Sequence, residues 1–328
     1  MARAGRKPDP LEATFARLRA ARADPHAPDS LVALREALAA RSAHAVQRSA
    51  EIARDLELHA VERELAAAFP RFLVEPTRSD KGCVAKTAIA EALFRLGADV
   101  PEIFLAGARH VQKEAAWGPP VDTAAGLRGA CVMGLVRIGH PEAFELVAEV
   151  LADPEAQARI AAAQAVGYGG SELGAPLLRL KALVGDSEPR VLAECFASLL
   201  RIAPVASLPF VARFLESPRE EVRELAALAL GEAQLPAAFP LLRDFCARTR
   251  PGETLRAGLL ALALLRTDEA IAHLLSLVAE APSRTARQAV EALAIHRERA
   301  GFPERIREAA RLRADPELSE AVREALDG

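Results

Sequence analysis

Apolar residues recur along this chain three and four apart, the spacing of one helix face, in short blocks broken by Pro, Gly, Asp or Ser. Four blocks align: DPEAQARIAAAQAVG (153–167), DSEPRVLAECFASLL (186–200), SPREEVRELAALALG (217–231) and RPGETLRAGLLALAL (250–264). Each opens on a capping or breaking residue, most with a Pro soon after, and then carries an apolar residue followed by Arg or its equivalent and an Ala/Leu stripe. Ser or Asp ahead of Pro reads as a helix N-cap, which would satisfy the unpaired amides of a first turn. Gly139, Gly167 and Gly231 stand where a C-cap would end the helix.

With Arg159 as marker, the in-phase residues are Leu192, Arg223, Arg256 and Arg287, at steps of 31 or 33 residues. Upstream, Arg128 precedes Arg159 by 31, Lys86 precedes Arg128 by 42, and Gln47 stands 39 before Lys86 in a weaker copy. Between markers lies a second short helical block: PEAFELVAEVLA, ELGAPLLRLKALV, VASLPFVARFLES, PAAFPLLRDFCA and DEAIAHLLSLVA. The unit is therefore helix–turn–helix, repeated about eight times. A two-helix unit cannot cover its own apolar surface, but stacked neighbours can, so the pattern predicts an all-α fold, an α-solenoid wound into a superhelix. Residues 1–28 read as an N-terminal tail and capping helix, 29–297 as the repeats, and 298–328 as C-terminal capping helices, richer in charge than the middle.

These in-phase copies resemble the HEAT repeat family, in a short form similar to the phycobilisome-lyase HEAT-like repeats. The resemblance covers roughly residues 29–297. It implies a ladder between neighbouring repeats, formed by an Asp early in each second helix and the Arg within it. Asp80, Asp122, Asp153 and Asp186 each stand six residues before a marker position, and Arg128, Arg159, Arg223, Arg256 and Arg287 supply the cations. The ladder is incomplete, because Leu192 replaces an Arg, and Ser217 and Arg250 replace an Asp. As partly exposed pairs, its rungs are expected to contribute modestly.

Composition narrows the function. Hydrophobic residues are 51% and charged ones 27%, enough for a large core. Aromatics are 4%, few for an enzyme built around a large ligand pocket. A net charge of −3 opposes nucleic-acid binding, which is dominated by phosphate contacts. Arg outnumbers Lys, read first as GC-rich, bacterial-type coding. MARAGRKPDP has no apolar run after it, so it is no signal peptide, and no later run is long enough to cross a bilayer. A cytoplasmic protein is expected. Cys83, Cys131, Cys195 and Cys246 are far apart, as suits buried reduced thiols. The seven His lack metal-ligand spacing, so no metal and no cofactor is expected.

One stretch departs from the pattern: RHVQKEAAWGPPVDTAAGLR, 109–128, with the chain's only Trp. The 42-residue step places about eleven extra residues here, HVQKEAAWGPP. A packed Trp buries about 150–250 Å². Trp117 therefore either folds back over the core edge as a plug or waits for a partner. Asp122 and Arg128 fall on the ladder; Arg109, His110, Gln112, Glu114 and Trp117 form the candidate rim.

The resemblance places the second helices on a concave face. The ridge one and five residues after each marker carries Met133, Ile160, Gln164, Glu224, Leu228 and Gln288, otherwise Ala and Gly. It has no basic residue, unlike a phosphate groove, and suits an apolar helix or peptide. The function expected is a non-enzymatic scaffold whose concave face binds a protein or peptide partner, with the 110–121 loop as anchor. Its rival is a HEAT-like enzyme or enzyme subunit, lyase-like or DNA-glycosylase-like, with a pocket by the same loop. HEAT-like alkylpurine glycosylases need several Trp rings, and the deoxyhypusine hydroxylases need adjacent His-Glu pairs; this chain has neither.

Overall fold

The computed structural model of the chain describes residues 10–313 and 315–327. The start of the expected N-terminal tail, residues 1–9, lies outside the described residues, as do 314 and 328. The chain divides into two compact units, the first ending at Gly169 and the second beginning at Gly170. Each is a stack of short helix pairs, so the architecture is all-α and of the solenoid class.

In the first unit α1 (Pro10–Ala23) precedes four pairs: α2 (Pro28–Ala39) with α3 (Ala43–Asp55), α4 (Glu62–Ala68) with α6 (Val84–Leu96), α7 (Pro101–Ala108) with α8 (Ala125–Arg137), and α9 (Ala143–Leu151) with α10 (Ala156–Gly169). The one-turn α5 (Pro76–Ser79) stands between α4 and α6. The second unit pairs α11 (Ala175–Val184) with α12 (Pro189–Ile202), α13 (Pro204–Ala212) with α14 (Glu220–Glu232), α15 (Ala238–Arg248) with α16 (Glu253–Leu264), and α17 (Asp268–Glu280) with α18 (Ser283–Leu293). It closes with α19 (Phe302–Arg311) and α20 (Pro316–Asp327). Eight pairs thus follow the repeat read from the marker spacing.

The second helices stack on one another within each unit: α3 lies against α6, α6 against α8 and α8 against α10; in the second unit α12 packs on α14, α14 on α16 and α16 on α18. Ala and Gly at the crossings allow this approach. A Cβ on Gly129 would meet the Ala161 Cβ at 2.5 Å, and one on Gly231 would meet the Ala261 carbonyl oxygen at 2.4 Å. Gly167 and Gly231 lie within the last turns of α10 and α14 rather than beyond their ends. Gly139 alone of the three is a cap: its φ is +65°, and His140 N–H donates to the Leu135 carbonyl at 2.9 Å, closing the end of α8.

The ladder acids are not N-caps either. Asp122, Asp153 and Asp186 accept the amide two residues on, from Ala124 at 3.0 Å, Glu155 at 2.8 Å and Glu188 at 2.7 Å. Ser217 does the same for Arg219 at 3.3 Å. Each shapes the turn leading into a second helix, which begins three residues further on.

Candidate functional site

The long step between Lys86 and Arg128 is a β-hairpin, β1 (Lys113–Glu114) paired antiparallel with β2 (Val121–Asp122), Lys113 opposite Asp122 and Glu114 opposite Val121. Its base is tied into the first unit by buried polar groups. Gln112, 1% exposed, sends Nε2 to the Asp80 carbonyl at 2.8 Å and to Glu114 Oε1 at 2.7 Å. Glu114 Oε1 also accepts the Gly82 amide at 2.6 Å and lies 3.2 Å from the Thr123 hydroxyl. Burial pushes the Glu114 carboxyl up, but the donors of Gln112, Gly82 and Thr123 outweigh it and hold it below its ordinary range.

Beneath the hairpin lie two ion clusters. Lys86 and Asp80 are both fully buried and paired at 2.9 Å. Lys86 Nζ also donates to the Phe72 carbonyl at 3.1 Å, and Asp80 accepts the amides of Ala85 at 2.9 Å and Lys86 at 3.1 Å. The Arg128 guanidinium spans both oxygens of Asp153, at 2.7 and 2.9 Å, meets Asp122 at 2.9 Å, and donates to the His110 carbonyl at 2.9 Å. Burial raises the Asp122 carboxyl, yet the amides of Ala124 and Gln112 together with Arg128 bring it below its usual value. Burial lowers the His110 imidazole, with Lys86 and Arg128 adding to the effect; its Nε2 lies 3.3 Å from Gln112 Oε1, an opposing influence.

The modest ladder expected from the spacing is thus, in the first unit, a buried network. The physical reason is the hairpin, which folds over Asp80 and carries Asp122 at its own base, taking both out of water. In the second unit the rungs are weaker: Arg223 donates to the Ser217 carbonyl at 2.9 Å and Glu220 at 3.2 Å, Arg256 meets Glu291 at 2.9 Å, and Arg287 meets Glu317 at 3.2 Å. Asp186 is held by Lys181 at 2.7 Å, and Arg159 donates to the carbonyls of Asp153 and Pro154 at 2.8 Å.

At the hairpin tip the picture inverts. Trp117 is wholly exposed, and Val111 and Val121 are about half exposed. The plug reading of Trp117 is therefore corrected: the hairpin's polar base, not the indole, covers the core edge. Gln112 and Glu114 use their polar atoms inside the hairpin, and Arg109 is paired with Glu142 at 2.7 Å. Of the ridge residues, Met133 and Ile160 are half-buried and Gln164 is exposed, all in the first unit. In the second, Leu228 is half-buried, Glu224 accepts the Thr254 hydroxyl at 2.8 Å, and Gln288 Nε2 donates to the Gly252 carbonyl at 3.0 Å.

A cleft of about 320 Å³ beside the hairpin base is lined by Gln47, Glu51, Thr87, Glu91, Thr123 and Gln157, among others. Most of its polar groups are engaged: Glu51 by Gln47 and Arg48, each at 3.0 Å, Glu91 by Arg54, and Thr87 by the Cys83 carbonyl at 2.6 Å. All four thiols are free and buried. Burial pushes Cys83 up to about 11 and Cys195 and Cys246 up to about 12, so none is a ready nucleophile. Among the described residues no group of three or more His, Cys, Asp and Glu is placed to hold a metal.

The architecture defines an all-α protein built from stacked helix pairs. Residues 176–263, from α11 to α16, match the family model for HEAT repeats. No curated protein matches the chain. Among solved structures it is similar to the complex of CpcE and CpcF of phycocyanin lyase from Nostoc sp. PCC7120, at 19% identity and a TM-score of 0.35, covering 70% of this chain and 89% of that one. It is also similar to human deoxyhypusine hydroxylase in complex with glycerol, at 20% identity and a TM-score of 0.31, covering 79% of this chain and 91% of that one.

Proposed function

We propose that this chain is a non-enzymatic, cytoplasmic scaffold that binds a protein or peptide partner, and that Trp117 anchors the partner on the first unit. The observation that carries this reading is the contrast within one hairpin. Its base is fixed by Gln112, Glu114 and Asp122, while its tip holds an indole in water. Leaving a Trp exposed forgoes about 4–6 kcal/mol of burial. A rigid support that keeps a large aromatic exposed is the form of an interface hot spot, because little entropy is lost when it docks. The half-buried Met133 and Ile160 and the exposed Gln164 extend the surface with small apolar and neutral polar groups.

An enzymatic role by the same hairpin would call for convergent polar groups with free valences. The engaged side chains of the neighbouring cleft support binding over turnover. Among the described residues no helix is long and apolar enough to cross a membrane, in keeping with the proposed location.

The test is a quantitative pull-down from native lysate with the wild-type chain and Trp117→Ala, read by mass spectrometry alongside thermal melting. The expected outcome is a defined set of proteins lost with the variant while its melting temperature is unchanged. Equal recovery of every protein by both chains would remove the hairpin from the interface.

A further inference from the structure

The ladder's defect in the second unit leaves a cleft lined by three arginines and three glutamates. In the first unit, the Arg128 guanidinium clasps both oxygens of Asp153, the acid of the following repeat. Arg223 is seated in phase with Arg159: its Nη1 donates to the Ser217 carbonyl at 2.9 Å, as that of Arg159 donates to the Asp153 carbonyl at 2.8 Å. The residue that would offer Arg223 an acid from the following repeat is at position 250, and it is an arginine. Arg223, Arg248 and Arg250 together line a cleft of about 490 Å³ between the pair α13–α14 and the pair α15–α16.

The acids on its rim already have partners. Glu216 meets Arg248 at 2.7 Å, Glu220 meets Arg223 at 3.2 Å, and Glu253 meets Arg256 at 3.8 Å. Arg250 is exposed, and among the described residues it meets no acid. The same wall carries the first turn of α16, whose N-cap Gly252 offers no side-chain acceptor to the turn's free amides.

We propose that this cleft binds a small anion bearing a phosphate or carboxylate group, seated between Arg223 and Arg250 where the first unit places the carboxylate of Asp153. The ligand's oxyanion completes the broken rung. Planar guanidinium groups match the paired oxygens of both anion types, and the volume suits a small molecule. The site lies on the second unit and is independent of the role proposed for Trp117.

The full chain is titrated with inorganic phosphate and, separately, with acetate, each against sodium chloride at equal ionic strength, by thermal melting and calorimetry. The expected result is saturable stabilisation above the chloride control. A larger response to phosphate assigns a phosphorylated ligand, and a larger response to acetate a carboxylate. Arg250→Ala should weaken binding by about tenfold or more, the loss of one charge-assisted contact. Arg250→Asp supplies the missing acid from within, so it should raise the melting temperature without added anion and abolish the response to phosphate. Position 250 is exposed, so neither variant threatens folding. Stabilisation equal in wild type and Arg250→Ala, or none beyond chloride, would overturn the proposal. So would an Arg250→Asp chain less stable than wild type.

Discussion

Lys86 and Asp80 illustrate how far spacing alone carries an inference about a single residue. Their separation of six residues places them on the ladder, but spacing gives register, not depth. Depth comes from Gln112, 32 residues from Asp80, which brings the hairpin down over the pair. Removing one member leaves the other charged, buried and unmatched, which costs about 3–5 kcal/mol. Lys86→Met should therefore lower the urea midpoint far more than Arg287→Met, whose pair with Glu317 is exposed and contributes about 1 kcal/mol or less. Comparable losses for the two would mean that the Lys86 pair is solvated. Trp117→Ala should leave stability within about 0.5 kcal/mol of wild type, since the indole touches water alone. The identity of this Trp as unusual was legible in the sequence. Its exposure was not, because a Trp beside Gly-Pro-Pro can equally be a plug or a projection.

At the scale of elements, the helix pairs were legible because the same apolar stripe returns at 31 or 33 residues and each copy corroborates the others. The glycines were not. Gly near a helix end can serve a left-handed cap or a close approach of two backbones, and the residue is the same in both. The two roles respond differently to Ala. At Gly139 a Cβ meets nothing within 4 Å, so Gly139→Ala carries only the strain of a positive φ, about 1–2 kcal/mol. At Gly231 the added Cβ would meet the Ala261 carbonyl oxygen at 2.4 Å and its Cα at 2.7 Å, backbone atoms that no side-chain rotation can move. Gly231→Ala must push α14 and α16 apart, breaking the packing of their Ala and Leu side chains. It should cost about 3 kcal/mol or more, the upper end for overpacking, and so be the more damaging of the two in thermal melts. A Gly231→Ala chain as stable as wild type would show that α14 and α16 do not cross this closely. The hairpin was the one element without a repeat signature; its short strands gave no alternating pattern long enough to read.

For the molecule as a whole, the two units share a repeat but differ in what they bury. Of the charged residues most fully withdrawn from water, Asp80, Lys86, Arg128 and Arg159 belong to the first unit, while the second buries the Asp186 carboxylate against Lys181. The missing rungs at Leu192, Ser217 and Arg250 were legible in the sequence, all in what is the second unit, but the depth of the first unit's rungs was not, and the contrast predicts an unequal response to acid. His110 in the first unit and His273 and His296 in the second are all held below the ordinary value of 6.5, first by burial. The unfolded chain therefore takes up these protons before the folded chain does, and stability declines in both units as pH falls below 6.5. A second decline belongs to Glu114 and Asp122, whose ordinary values are 4.5 and 3.8 and which the hairpin's donors lower. Their contribution is present above pH 4.5 and is lost as the pH drops through and below those values, because the unfolded carboxylates protonate first. In the second unit Glu320, lowered by Arg323, is exposed, so solvent and salt screen it, and Asp315, lowered first by the Ser283 hydroxyl, is part-buried but stands at the end of the unit beside α18 and α20, away from α14 and α16. Below pH 4.5 the first unit should therefore lose protection sooner. Hydrogen exchange read by mass spectrometry at a series of pH values, corrected for intrinsic rates, should show α6 and α8 opening before α14 and α16. Because stacked repeats unfold segment by segment rather than all at once, the two regions can part company in this way. The opposite order, or a single concerted loss, would mean that the hairpin's carboxylates are not what ties the first unit's stability to pH.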